Sequence, residues 1–301
     1  MSHILVSGLV NLETTVKVPG FPLDYSPIFF NFFGIDTAVS GVGTNLARAL
    51  TALGDNVKLV SLVGGDRNGK YALDELQSCG INTSFVQPML KSTPQSVVLY
   101  DESGKREIHC DLKDLQDTVC GKKIFLKAMD ECDTVALCNI NFSRPYLKVA
   151  HDEGKTIATD VHVISDIHDA YNEDFMKYAD ILFLSDENLP ESPESFVKEI
   201  ADTYHNSIIA VGLGSKGSLL YVRDDKFIGR IDPVKPKKIV STVGAGDSLF
   251  SAFLHYYTKT RDPYESMKKA NLFASCKISA AGGAGGFVSE KELDELYSGT
   301  K

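Results

Sequence analysis

The residues best equipped for chemistry lie in one short run, Ser241-Thr242-Val243-Gly244-Ala245-Gly246-Asp247-Ser248. Directly behind it, Phe250, Phe253, Leu254 and Tyr257 fall at i, i+3, i+4 and i+7, the stripe of a helix with one buried face. The glycines therefore sit where a helix begins. A helix start presents N–H groups that lack an intrahelical partner, together with about half a unit of positive charge. Gly244, Ala245 and Gly246 have almost no side chain, so an anion can reach that backbone. Asp247 alone would read as a cap or a dipole partner. Beside a nest built for phosphate, a carboxylate repels the ligand unless it takes a proton from a nucleophile arriving there. The combination reads as a centre for phosphoryl transfer.

Gly244-Ala245-Gly246-Asp247 after Thr242 resembles the C-terminal signature of the ribokinase-like (PfkB) carbohydrate kinases, Asp-Thr-x-Gly-Ala-Gly-Asp. The resemblance implies that the amides of Gly244, Ala245 and Gly246 form an anion hole for the transferred phosphoryl group. It makes Asp247 the base that deprotonates the acceptor hydroxyl. Ser241 replaces the family's leading Asp, which is associated with a monovalent-cation site, and this departure counts against activation by potassium.

Other elements must carry the acceptor to that centre. Ile4 to Val10 is a β-branched, nearly all-apolar run, the pattern of a central parallel strand whose C-terminal end opens on a ligand crevice. Asn11 and Glu13, just beyond it, would share one side of the strand. A polar strand exit explains them too; the resemblance assigns Glu13, with Asn11 beside it, to sugar hydroxyls, where the family carries Asp. Ser40-Gly41-Val42-Gly43-Thr44-Asn45 opens a helix with Val42, Leu46, Ala49, Leu50 and Leu53 on one face and a stop at Gly54. Asn45 borders that buried stripe and needs partners, which a neighbouring loop could supply. The segment resembles the family's Gly-Gly-x-x-x-Asn motif, which implies that Gly41 and Asn45 contact the sugar. Val42 stands where typical ribokinases have Lys, so ribose itself is not implied.

Pro27 to Phe33, with Phe29, Phe30, Phe32 and Phe33, reads as a strand apolar on both faces. Ser96–Tyr100 and Lys105–Cys110, joined by Asp101-Glu102-Ser103-Gly104, read as a hairpin. Neither is followed by a helix, so a small separate sheet is expected. The resemblance makes it a lid over the sugar, formed by segments of about 12–38 and 92–113. The phenylalanines then fill the lid's core, pair two lids in a homodimer, or stack on a nucleobase. Elsewhere strands (Val57–Leu62, Thr83–Val86, Thr134–Leu137, Thr156–Thr159, Ile181–Leu184, Ser207–Val211) alternate with helices (Lys70–Cys79, Arg144–Glu153, near Asp174–Tyr178, Ser195–Tyr204) before two C-terminal helices, Pro263–Ala280 and Lys291–Tyr297. This order implies an α/β fold in three layers, α/β/α, with a mostly parallel sheet, as one kinase domain over 1–301 plus the lid.

Leu184-Ser185-Asp186-Glu187-Asn188 lies where the family orders magnesium and phosphate through water; Asn-x-x-Glu is absent, and Asp186 and Glu187 are the candidates. Asp160-Val161-His162 with Asp166, His168 and Asp169 could be drawn as a metal cluster, but caps between strand and helix explain it. Gly212 to Gly217 satisfies G-x-G-x-x-G, yet the strand Ser218–Val222 follows instead of a helix. Gly154-Lys155-Thr156 fails as a P-loop because Val149 stands where the leading Gly must be. By resemblance Gly214, Ser215, Lys216 and Gly217 line the ATP site, and Asn271 and the run Gly282–Gly286 border the adenine.

The net charge of −9 argues against nucleic acid or an anionic membrane as the main partner. Met1–Gly8 has no basic leader and no long apolar run follows, so a cytoplasmic protein is expected. The cysteines show no C-x-x-C pair or nearby His, as for reduced thiols. The expected activity is ATP- and Mg2+-dependent phosphorylation of the primary hydroxyl of a small sugar, or alternatively of a ribonucleoside such as pseudouridine. A catalytically retired sugar- or nucleoside-binding sensor is the rival from another class, and Asp247 argues against it.

Overall fold

The computed structural model describes residues 2–280 and 285–299. The N-terminal part lays down β1 (His3–Ser7), β2 (Asn11–Lys17), β3 (Ile35–Ser40), α1 (Val42–Ala52), β4 (Asn56–Gly64), α2 (Arg67–Ser78), β5 (Val86–Leu90), β6 (Gln95–Tyr100) and β7 (Arg106–Asp111). Then come α3 (Lys122–Met129), β8 (Thr134–Leu137), α4 (Pro145–Asp152), β9 (Thr156–Asp160), α5 (Glu173–Tyr178), β10 (Ile181–Ser185), α6 (Pro193–Tyr204) and β11 (Ile208–Gly212). The last part holds β12 (Ser218–Val222), β13 (Phe227–Ile231), α7 (Ala245–Thr260), α8 (Pro263–Lys277) and α9 (Glu290–Ser298).

Nine strands form the main sheet, in the order β13-β12-β11-β10-β9-β8-β1-β4-β5. It is parallel from β11 to β5 and antiparallel only where β12 and β13 are added at one edge. The central strands are apolar on both faces because both faces are covered. Ile4, Val6, Phe183 and Ala210 face α1, α2, α7, α8 and α9, while Leu5, Val135, Leu182 and Val211 face α3 to α6. Phe250 and Phe253 of α7 seat their rings 4.9 and 5.3 Å from that of Phe183 on β10, which fixes the helix over the middle of the sheet. The result is a three-layer α/β/α fold, as expected. Among the described residues no helix is long and apolar enough to cross a membrane.

A second sheet of four strands, β3-β2-β6-β7, stands apart from the first. Its hairpin β6–β7 lies where the sequence places it. Two expectations need correction. The first strand does not run to Val10: the Leu9 carbonyl accepts the Thr44 N–H of α1 at 3.3 Å, the chain turns out of the main sheet, and Asn11 already opens β2 of the small sheet. Pro27 to Phe33 is not a strand. Pro22 and Pro27 lack ladder donors, Phe33 holds a φ of 56°, and the strands of the small sheet lie on either side of this span, as β2 and β3. Phe29, Phe30, Phe32 and Phe33 are exposed.

Smaller differences follow from local hydrogen bonds. The short strand expected at Thr83–Val86 begins at Val86, because Thr83 to Val86 is a turn in which Val86 N–H reaches the Thr83 carbonyl at 3.0 Å and Asn82 caps Ser84. Besides β2 and β3, helix α3 and strand β13 are additional to the expected set. Helix α3 begins at Gly121 without a side-chain cap, and β13 has Gly229 in its interior, so neither carries the usual marks.

Candidate active site

The strand that enters the small sheet brings Asn11 and Glu13 with it. Asn11 is 3% exposed; its Nδ2 donates to Ser96 Oγ at 2.9 Å, and its Oδ1 is buried with no hydrogen-bond partner. An orphaned buried acceptor costs about 1–3 kcal/mol, which a ligand hydroxyl donating there would recover. Gly41, the N-cap of α1, has φ 98°, and a Cβ there would lie 2.6 Å from the Leu9 carbonyl oxygen and 3.1 Å from Asn11 Oδ1. Only glycine fits the position.

Helix α1 packs on α7, and this contact joins two residues that are 202 positions apart: Asn45 Nδ2 donates to Asp247 Oδ2 at 2.6 Å. Ser40 Oγ lies 3.4 Å from Asn45 Oδ1 and is also hydrogen-bonded to Glu13. It has one proton to give, and the carboxylate is the stronger acceptor. Burial holds the Glu13 carboxyl above its ordinary range; Ser40 opposes this, the charge of Asp247 adds to it, and Lys277 opposes it. Asn11, Glu13, Gly41, Asn45 and Asp247 are thus brought together.

Asp247 stands in the first turn of α7, whose N-cap Gly244 has the left-handed φ of 77°. That turn ends the preceding loop abruptly and aims the helix mouth at the strand ends. Of the expected anion-hole amides, Ala245 N–H is engaged by the Thr242 carbonyl at 3.2 Å. Gly244, Gly246 and Asp247 itself supply the remaining amides of the opening turn. Ser241 Oγ accepts from Val243 N–H at 3.3 Å, so this side chain braces the loop. Burial raises the Asp247 carboxyl above its ordinary range; His162 and the Asn45 hydrogen bond pull it down, Asp160 pushes it up, and Lys277 pulls it down. A carboxylate raised toward neutrality is a better proton acceptor.

Two further residues belong to this region of the fold. Arg106 Nη1 on β7 reaches Thr242 Oγ1 at 3.1 Å, so the small sheet touches the glycine run. The period-two rule contains the signal: Arg106, Ile108 and Cys110 share a face, Cys110 pairs with Ser96, and Ser96 pairs with Glu13. Lys277 ends α8 fully buried. A lysine inside the run Ala274-Ser275-Cys276-Lys277-Ile278 was its signal.

The other expected residues lie along the neighbouring strand ends. Gly214–Lys216 is one exposed 3₁₀ turn between β11 and β12, with Lys216 at the surface. Asp186 follows β10, its N–H bound to the Gly212 carbonyl at 3.1 Å, and Glu187 beside it is exposed. Asn271 needs a different reading: its Nδ2 is spent on the carbonyls of Ile231 (3.3 Å) and Asp232 (3.1 Å), so it ties α8 to the end of β13. Gly282, Gly283 and Ala284 lie outside the described residues. Asp160, Asp166 and Asp169 each accept a backbone N–H at 2.8 Å, from His162, His168 and Asn172 respectively, which is turn capping. Among the described residues, no three His, Cys, Asp or Glu side chains converge to hold a metal.

The chain is similar to known kinases. A ribokinase of Dictyostelium discoideum is 23% identical, covering 97% of this chain and 99% of its own. A deoxyribokinase of Salmonella typhi is 25% identical over 86% of this chain and 87% of its own. The structure of a microbiome-derived acarbose kinase, Mak1, superposes with a TM-score of 0.89 at 25% identity, covering 99% of both chains. The model of the family described as pfkB family carbohydrate kinase matches residues 2–290, nearly the whole chain. With the acid, the glycine turn and the crossing strand all inside that match, the chain belongs to the pfkB family of carbohydrate kinases, which are phosphotransferases.

Proposed function

We propose that the protein transfers the terminal phosphoryl group of ATP to the primary hydroxyl of a small sugar. The observation that carries this is the 2.6 Å bond from Asn45 to Asp247 at the mouth of α7, with the orphaned Asn11 oxygen on the acceptor side. Asn45 fixes Oδ2 of Asp247, and Oδ1 takes the hydroxyl proton as the alcohol oxygen attacks the γ-phosphorus. The bond to the β–γ bridging oxygen breaks and ADP leaves. The amides of Gly244, Gly246 and Asp247 face the charge that gathers on the phosphoryl oxygens. Arg106, carried by the lid, adds positive charge to that side and helps exclude water.

Mg2+ supplies neutralisation of phosphate charge when bound with the nucleotide. The residues present fit it in that form: Asp186 and Glu187 offer hard carboxylate oxygens, reached through water, with phosphate completing the shell. Ser241 brings no charge for a monovalent cation and is bound to its own loop. Gly214 to Gly217 line the ATP side, with Asn271 supporting them from behind. A cytoplasmic setting suits the free, exposed thiols of Cys79 and Cys110. The exposed phenylalanines of the lid are where a second copy would pack in a homodimer.

ADP release measured across ribose, deoxyribose, fructose, an amino-sugar oligosaccharide and ribonucleosides tests the proposal. Acceptor-dependent release identifies the class, and a response confined to nucleosides would assign the enzyme to them instead of sugars. Binding of an acceptor with no ADP formed would overturn the reading in favour of a sensor.

A further inference from the structure

We infer that Ser96 is a positioning residue for the acceptor: it holds the Asn11 amide by its nitrogen, so that the oxygen is the end left for the substrate, and the site then selects acceptors that bring a donating hydroxyl there. This rests on the kinase reading above and adds to it a residue from a second strand of the lid, outside both glycine motifs. Asn11 on β2 and Ser96 on β6 are 3% and 4% exposed. They are 85 positions apart, and Asn11 Nδ2 donates to Ser96 Oγ at 2.9 Å. In the register of the two strands Ser96 stands directly opposite Glu13, so Asn11, Glu13 and Ser96 share one face of the small sheet.

A primary amide has two ends of nearly the same shape and opposite hydrogen-bonding sense. Turning it over would exchange an acceptor for two donors without moving the backbone, so something must decide between the ends. Nothing grips the oxygen: Asn11 Oδ1 is buried with no partner, and at Gly41 beside it a Cβ would lie only 3.1 Å away. The nitrogen is tied to Ser96. Among the described residues this is the one side-chain hydrogen bond that Ser96 Oγ makes. The carboxyl of Glu13, across the ladder, draws the Ser96 hydrogen towards its own oxygens, which leaves the Oγ lone pairs for Asn11. A buried acceptor kept open in this way rejects an analogue that brings no donor, because the unpaired oxygen then persists in the complex.

Ser96→Ala and Ser96→Thr test this in the full-length protein, with the best acceptor from the panel above and its monodeoxy analogues. In the Ala variant KM for the acceptor should rise about tenfold, with kcat within about twofold and KM for ATP unchanged. The preference for the hydroxylated acceptor over one monodeoxy analogue should shrink by a similar factor. The Thr variant, which keeps the hydroxyl, should keep the preference. Asn11→Ala should lose it, and adding Ser96→Ala to Asn11→Ala should make matters no worse. An unchanged preference in Ser96→Ala, or effects that multiply in the double variant, would overturn the inference. A second readout does not need turnover. In proton–nitrogen correlation spectra the Asn11 side-chain amide, assigned by its loss in Asn11→Ala, should exchange with water roughly tenfold faster in Ser96→Ala than in the parent. Equal exchange in both would overturn the inference even if no acceptor is ever phosphorylated; faster exchange without turnover would retain the Ser96 anchor and defeat only the kinase reading.

Discussion

Helix α7 has a buried charge group near each end, and the two are built differently. Toward its C-terminal half, His255 is fully buried, with Nδ1 2.7 Å from Asp55 Oδ2 and Nε2 3.2 Å from Glu290 Oε1, while Lys259 Nζ lies 2.7 Å from the same Glu290 oxygen. Lys259 Nζ also lies 3.3 Å from His255 Nε2, so each member of the cluster touches another directly. At the N-terminal end the direct partner of Asp247 is the neutral amide of Asn45, and the charges of His162, Asp160 and Lys277 also bear on it. The electrostatics separate accordingly. Burial pulls Glu290 up, but Lys259 and His255 outweigh it and hold the carboxyl below its ordinary range. Burial of Asp247 wins over its neighbours. Each group holds an orphaned oxygen, Asp55 Oδ1 in one and Asn11 Oδ1 in the other; what differs is the direct partner, ionisable side chains at the C-terminal end and a neutral amide at Asp247.

The largest expected effect breaks the end that holds Asp247. Asp247→Asn should lower turnover by about 10² to 10⁴ while ATP binding, read by titration calorimetry, stays within a few-fold. Its stability should hold or rise, since a buried carboxylate is removed. The mirror experiment, His255→Ala, strands Asp55 and should cost about 3–5 kcal/mol in urea unfolding, with kcat per folded molecule unchanged. Arg106→Gln should reduce kcat/KM about tenfold, about 1.4 kcal/mol, and leave the urea midpoint alone, since the residue is exposed.

The smallest effect sharpens the contrast through pH. A carboxyl held below its ordinary value gives stability that is present above the unfolded value, 4.5 for Glu290, and lost as pH falls through the folded one. Glu290→Gln should therefore flatten the acid side of a Tm–pH curve. Asp247, raised from 3.8, removes stability as pH climbs from 3.8 to its folded value, so Asp247→Asn should flatten the curve above pH 3.8. Shifts of the same sign in both variants would end the distinction between the two groups.

The alternation of strands and helices was readable because burial on two faces leaves continuous apolar runs and helical stripes. The glycine run and Asn45 were readable because their geometry is local: a helix start needs nothing from elsewhere. Which residue Asn45 would meet was not, since the packing of α1 on α7 decides it. Asn11 and Glu13 were singled out at the exit of the first strand, but the point of crossing into the small sheet was not located, because the apolar run Ile4–Val10 does not mark it. Pro27–Phe33 misled in the opposite way: aromatic residues suggested a strand, and the backbone donors needed for one are absent at Pro27. Lys277 and Arg106 look like ordinary surface charge, and only the tertiary fold turns one inward and lays the other across the glycine run.

The crossing at Gly8–Val10 has a consequence for how this molecule is loaded. Asn11 and Glu13 ride on the small sheet while Asn45 and Asp247 belong to the main body, so an acceptor held by both acts as a rivet between two plates. Grip and shutting become one equilibrium: whatever stiffens or slackens the crossing changes apparent affinity without altering a single contact to the guest.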